Sequence, residues 1–126
     1  MRILQVVSSW RGGVINIVYQ VSSGLVKRGH DVIILTTDLV DERRISSPID
    51  VSSSIKFIKL PILCRHLSKK LKLHFTVFNP RQIAKIVEDT DVIHLHGFRS
   101  LLISAVGRIA KNQQVPYIVQ VHYIYY

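Results

Sequence analysis

The sequence is short of the residues that several functional classes require. Its 126 residues contain one cysteine, Cys64, so an internal disulfide is impossible and a thiolate metal site is excluded. No apolar run reaches the roughly 18 residues that a membrane-spanning helix needs. The apolar stretch after Arg2 is also too short for a secretory signal. We therefore expect a cytoplasmic protein in which Cys64 is an inert thiol.

Known nucleotide-binding and hydrolase patterns are missing too. Arg11 and Asn16 interrupt any G-x-G-x-x-G fingerprint, and no P-loop or nucleophile elbow occurs. Asp38 follows the second predicted strand, where a nicotinamide-binding domain places its ribose-binding acid. The hypothesis of an oxidoreductase-type dinucleotide-binding domain therefore rests on Asp38 alone.

The apolar pattern that is present predicts one α/β domain over residues 1–126. Almost continuous apolar runs predict buried parallel strands, and spacings of three and four residues predict amphipathic helices between them. The expected fold is a doubly wound, Rossmann-like sheet of about five parallel strands with helices on both faces. The predicted strands are 2–8, 31–37, 55–60, 91–95 and 116–122, and the predicted helices are 13–28, 79–89 and 98–111.

Two adjacent glycines, Gly12 and Gly13, join the first strand to the first helix. Small residues at a helix start let a ligand approach backbone N–H groups, and the positive end of the helix favours an anion. We expect this loop to contact a phosphate. A tight turn that needs glycine for geometry alone is the alternative.

Three histidines are predicted at neighbouring strand ends. His94 and His96 are two residues apart in one strand and share a face, and His122 ends the next strand. We expect His96 and His122 to donate hydrogen bonds to a ligand and His94 to be a satisfied core histidine. A zinc site is the alternative, but no carboxylate or cysteine joins the three rings, so we expect no metal.

Positive charge is concentrated in one segment of this chain, whose formal net charge is +9. Between residues 65 and 85 there is no acidic residue, and the basic residues there include Arg65, Lys69, Lys70 and Lys72. Such a patch attracts phosphates on a soluble ligand, a membrane or a nucleic acid. No aromatic–basic interleaving or recognition helix supports nucleic acid, so we expect none as a partner.

The ordered segments RGHDV (residues 28–32), DVIHLHG (91–97) and PYIVQVH (116–122), with the glycine pair before them, resemble a known family. The chain is similar to the N-terminal, acceptor-side domain of retaining glycosyltransferases of the GT-B fold, closest to the family 4 group. The resemblance covers the whole chain.

That resemblance implies an activity and a set of site residues. The family transfers a hexose from a nucleotide sugar to a lipid or saccharide acceptor without a metal or other cofactor. By position, Gly12 and Gly13 resemble the loop that contacts the donor diphosphate, and His122 resembles the catalytic-site histidine that contacts the transferred sugar. His96 and Gly97 resemble the acceptor-side wall. The segment Arg65 to Lys72 resembles the part that meets anionic lipid in membrane-associated members.

The family's donor-binding C-terminal domain has no counterpart in these residues, so we expect this chain alone to be inactive. Its last predicted strand would be an open, apolar edge. We expect that edge to bind a second copy or a separate donor-binding subunit. The alternative function is a non-catalytic Rossmann-like module that binds a phosphorylated or nucleotide ligand.

Overall fold

The computed structural model describes residues 1–8, 13–37, 55–61, 79–97 and 100–122. Within them, the chain forms five strands and three helices. The strands are β1 (Arg2–Val7), β2 (Asp31–Thr37), β3 (Ile55–Leu60), β4 (Val92–His96) and β5 (Tyr117–Gln120). The helices are α1 (Gly13–Lys27), α2 (Pro80–Glu88) and α3 (Leu101–Gln113).

All five strands are parallel, in the spatial order β3-β2-β1-β4-β5. The chain leaves β1 toward β2 on one side and later returns to β4 on the other side. The order of strands therefore reverses between β1 and β4. This confirms the doubly wound parallel sheet that the sequence predicts.

Helices cover both faces of the sheet because alternate strand residues are apolar on each face. On one face, Ile15 and Val18 of α1 pack against apolar residues of β1, β2 and β3. On the other, α2 and α3 pack against Leu4, Val6 and Leu95 among others. The two apolar layers fix the sheet between the helices and so fix where its strand ends lie.

Local signals set the helix ends. Asn79 accepts a hydrogen bond from the Arg81 N–H, and Pro80 occupies the first helical position of α2. Ser100 caps α3 in the same way by accepting from Ile103 N–H. The prediction that this helix begins at residue 98 is therefore wrong by three residues, because the serine side chain satisfies the first turn from position 100.

The last strand is shorter than predicted. β5 spans Tyr117–Gln120, so His122 lies two residues beyond the strand instead of ending it. Within the described residues β5 pairs only with β4, and its side chains are largely exposed. β5 therefore ends before the apolar pattern does, since Val121 lies beyond it.

Two glycines offer a matched test of this backbone geometry. Gly29 follows α1 with φ +86°, which strains an L residue, whereas Gly107 lies inside α3. A Cβ at Gly107 would lie 3.5 Å from Leu95 Cδ1, an ordinary contact. We expect Gly107→Ala to raise the free energy of unfolding by about 0.5–1 kcal/mol, since alanine favours the helix.

Gly29→Ala is the opposing control, and we expect it to lower the free energy of unfolding by about 1 kcal/mol because of the left-handed backbone. Urea unfolding followed by circular dichroism measures both. Equal effects of the two substitutions would contradict this account of the two backbone positions.

Candidate functional site

The candidate site lies at the carboxyl ends of β1, β4 and β5. Val7 pairs in register with His96, and His96 pairs with Gln120. The residues that leave these strands, Ser8 and Gly97, therefore stand at the same edge of the sheet. The strand order reverses between β1 and β4, so the carboxyl ends of these strands form the strand-reversal edge. Open parallel sheets bind ligands at such an edge.

The start of α1 faces the same edge. Gly13 is its first residue, and its first turn contains no acidic side chain. The N–H groups of that turn have no acceptor within the helix, and no carboxylate of the helix itself neutralises its positive end. Ser8 is held at the end of β1 by a 2.6 Å hydrogen bond from Thr37 Oγ1 to its carbonyl. Gly12 lies outside the described residues.

The three histidines of the sequence prediction come together here. The ring centroids of His94 and His96 are 4.0 Å apart, and those of His96 and His122 are 5.1 Å apart with nearly parallel planes. His96 Nδ1 and His122 Nε2 are 2.8 Å apart, within hydrogen-bonding distance. His94 Nε2 lies 2.8 Å from Gln120 Oε1. His94 thus has a partner inside the protein, as expected of a satisfied histidine.

His96 is placed differently from the expectation that it donates to a ligand. Its side chain is only 2% exposed, and its Nε2 lies 2.5 Å from Gln5 Oε1. Both ring nitrogens are therefore bonded within the protein. The structure leaves the His122 ring, which is only partly buried, as the member of this pair that faces outward.

Gln5 is a site residue that sequence reasoning missed. It is fully buried in the middle of the central strand, between the apolar residues Leu4 and Val6. The available signal was its polarity within an otherwise apolar run, since a buried polar side chain needs a partner. That partner, His96, is 91 residues away and becomes visible only in the fold.

Gly97 follows β4 with φ +96°, and open space surrounds the position where a Cβ would be. Its N–H donates to the Gln120 carbonyl at 2.8 Å, which ties the ends of β4 and β5 together. The positive φ at Gly97 disfavours any residue with a side chain, so the surface beside His96 lacks a side chain at this position. The basic residues Arg65, Lys69, Lys70 and Lys72 lie outside the described residues.

Burial favours the neutral form of all three rings. It lowers the pKa of His96 to about 3, with a further contribution from the neighbouring His94 and His122. Burial also lowers the pKa of His122, and it outweighs the hydrogen bond to Gln120 in lowering that of His94. Within the described part of the chain, no three histidine, cysteine or acidic side chains are arranged to hold a metal ion. The rings stack and bond to one another and to amides instead of converging on one point.

Sheet order, helices on both faces and a polar cluster at the strand-reversal edge define a Rossmann-like domain of the kind found in GT-B glycosyltransferases. Residues 11–126 match the model of the family described as Glycosyltransferase Family 4. The chain belongs to this family. No curated protein sequence matches significantly.

Several solved structures share the fold. LpCGTa, solved in complex with UDP, superposes with a TM-score of 0.63 at 14% identity, over 95% of this chain and 29% of its own. MurG from Acinetobacter baumannii gives 0.59 at 14% identity, over 95% and 35%. The C-terminal domain of a hydrogenase from Pyrococcus furiosus gives 0.58 at 18% identity, over 94% and 90%. The chain therefore spans about a third of the two transferases.

The lowered pKa of His96 predicts a specific pH dependence of stability. The folded state resists protonation until about pH 3, whereas the unfolded state takes up the proton near pH 6.5. The unfolded state therefore binds more protons in this window, and stability falls as the pH falls through it. We expect the free energy of unfolding to decrease between about pH 7 and pH 5, where few carboxylates titrate.

His96→Gln removes this titration, so we expect a shallower pH dependence in that variant than in the unmodified chain. Thr36→Val, which changes a buried side chain without a titratable group, should keep the original slope. Urea unfolding at several pH values measures all three proteins. An unchanged slope in His96→Gln would show that this imidazole is not the group responsible.

Proposed function

We propose that this domain is the acceptor-side half of a nucleotide-sugar-dependent glycosyltransferase that transfers a hexose to a lipid or saccharide acceptor. The observation that carries the proposal is the placement of His122. It stands just beyond β5 at the strand-reversal edge, bonded to the buried His96 and partly open to the outside. In this role, His122 contacts the transferred sugar.

The start of α1 is proposed to contact the donor diphosphate. Gly13 brings no side chain to the start of α1, Gly12 precedes it in the sequence, and the first turn offers backbone N–H groups without a competing acid. LpCGTa, a neighbour in fold, was solved with UDP. A nucleoside diphosphate bound at the start of α1 is consistent with the backbone N–H groups there. His96 and Gly97 then form the wall behind the sugar, with His96 acting through His122. No metal or other cofactor is required in this proposal.

A titration with UDP-glucose and with inorganic pyrophosphate tests the diphosphate site. We expect both to shift the backbone amide signal of Gly13 in the labelled chain. Gly13→Ala places a methyl group at the helix start and should weaken binding about tenfold, a difference of about 1.4 kcal/mol.

Gly24→Ala is the matched control, because Gly24 lies in the same helix and a Cβ there meets only the flexible end of Arg28. If Gly13→Ala and Gly24→Ala bind equally well, or if the unmodified chain does not bind, the diphosphate assignment is overturned.

The alternative function, a non-catalytic module for a phosphorylated ligand, predicts the same shifts with pyrophosphate but no response of the His122 ring to the sugar. Incubated alone with radiolabelled nucleotide sugars and lipid extract, the chain should show no transfer, and turnover would contradict that.

We further propose that the β5 edge binds a second polypeptide. Tyr117, Ile118, Val119 and Val121 are 43–60% exposed along one strand and its extension. Apolar side chains beside unpaired backbone groups favour addition of another strand. A second copy of the chain is the occupant in a purified preparation, and a donor-binding subunit is the occupant where one is present.

Analytical ultracentrifugation tests directly whether the chain associates with itself through the β5 edge. We expect concentration-dependent dimers, and Ile118→Lys should return the chain to monomers because a lysine opposes edge pairing. Ile17→Lys is the matched control, since Ile17 is 39% exposed on α1 and away from the edge. A monomeric profile for the unmodified chain at high concentration would overturn self-association.

The basic segment that includes Arg65, Lys69, Lys70 and Lys72 supports peripheral contact with anionic lipid headgroups, because clustered cations are attracted to such surfaces. Among the helices that the structure describes, none is long and apolar enough to cross a bilayer. Sedimentation with vesicles of anionic and of neutral lipid separates the two cases, and equal binding to both would contradict an electrostatic contact.

A further inference from the structure

Three polar side chains form a continuous line from the centre of the sheet to the site. Gln5 of β1 contacts His96 of β4, with Oε1 and Nε2 2.5 Å apart. His96 contacts His122 beyond β5, with Nδ1 and Nε2 2.8 Å apart. Gln5 is fully buried, His96 is 2% exposed and His122 is partly buried, so the line runs from the interior outward.

Gln5 satisfies the buried Nε2 of His96, but its own amide group is only half satisfied. Its amide nitrogen finds no hydrogen-bond partner among the described residues. An unpaired buried amide group lowers the free energy of unfolding. An apolar side chain in this central strand would avoid that cost, as its neighbours Leu4 and Val6 do. What Gln5 supplies, and an apolar residue cannot, is an oxygen directed at His96.

That oxygen determines where the protons of the line reside. A neutral imidazole carries one N–H and one lone pair, and His96 is neutral because burial lowers its pKa to about 3. A carbonyl oxygen only accepts, so the Nε2–H of His96 donates to Gln5. The Nδ1 of His96 then holds the lone pair and accepts from the Nε2–H of His122. The remaining nitrogen of His122, Nδ1, is left unprotonated.

We infer that Gln5 is a positioning residue that acts through His96 to fix the tautomer of His122. His122 then presents Nδ1 as a hydrogen-bond acceptor. This inference rests on the proposed function in assigning His122 to the transferred sugar. The matching ligand group is a hydroxyl that donates a hydrogen bond, as sugar hydroxyls do. A phosphate oxygen or a carbonyl, which only accepts, does not match Nδ1 in this form.

The tautomers can be read without any ligand. Two-bond ¹H–¹⁵N correlation spectra of the labelled chain at neutral pH distinguish protonated from unprotonated ring nitrogens. We expect His96 and His122 each to show a protonated Nε2 and an unprotonated Nδ1. The variants His96→Gln and His122→Gln assign the signals by their loss. A His122 ring protonated at Nδ1, or one that averages between both forms, would overturn the inference.

Gln5→Met tests the role of the amide itself, because methionine is similar in length and carries no carbonyl oxygen. We expect the His122 Nδ1 signal to shift toward the protonated type as the two tautomers mix. Thr36→Val is the matched control, a buried polar side chain on the neighbouring strand β2, and it should leave the His122 signals unchanged. An unchanged His122 in a folded Gln5→Met chain would also overturn the inference.

These spectra separate this inference from the proposed function. If the tautomers are as expected but neither UDP-glucose nor pyrophosphate binds, the proposed function fails and the line of hydrogen bonds stands. If the nucleotide sugar binds while His122 shows the other tautomer, the function stands and the role of Gln5 fails. UDP-glucose should, in addition, shift the His122 Nδ1 signal more than pyrophosphate does, because only the former brings hydroxyl donors.

Discussion

Burial of the sheet on both faces is the constraint on which this structure depends. β1 has a strand on either side and helices above and below, so its side chains from Ile3 to Val7 have almost no access to water. Such a position selects apolar residues, and a polar atom placed there costs free energy unless it finds a partner within the protein. The apolar residues of β1 hold the two layers together, and Gln5 is the exception. The candidate site is built outward from that exception.

The same constraint made most of the fold predictable. Strands buried on both faces have nearly continuous apolar sequences, which is why β2 was predicted with the boundaries that the structure has. β3, with exposed Lys56 and Lys59, was predicted correctly because Pro61 ends it. The start of α2 was also predictable, because Asn79 caps the helix with its side chain and Pro80 suits the first helical position. The start of α3 and the end of β5 were misplaced, because both depend on competition between similar neighbouring positions. In α3 a single serine side chain decided the outcome, and β5 ends at Gln120 although its apolar pattern continues to Val121.

The site was only half predictable. Alternation along β4 places His94 and His96 on one face, and the sequence alone indicates this. Contact between His96 and His122 depends on the register of β4 against β5, and contact with Gln5 depends on the register of β4 against β1. Registers are set by the packing of the whole sheet, which no local pattern encodes. Sequence reasoning therefore found the residues at the strand ends but not the residue that supports them from inside.

Fold alone does not specify what the site does, since a hydrogenase domain and two glycosyltransferases are similarly close in structure. The family match names the class, and the electrostatics of the site narrow the roles within it. Three neutral imidazoles cannot balance the charge of a diphosphate, because burial opposes their protonation. The N–H groups at the start of α1 are permanent partial charges that do not titrate, so they suit an anion at any physiological pH. Neutral rings suit uncharged hydroxyls instead. In the proposed function, one edge of the sheet therefore separates two kinds of recognition, with the anion at the helix start and the sugar at the histidines.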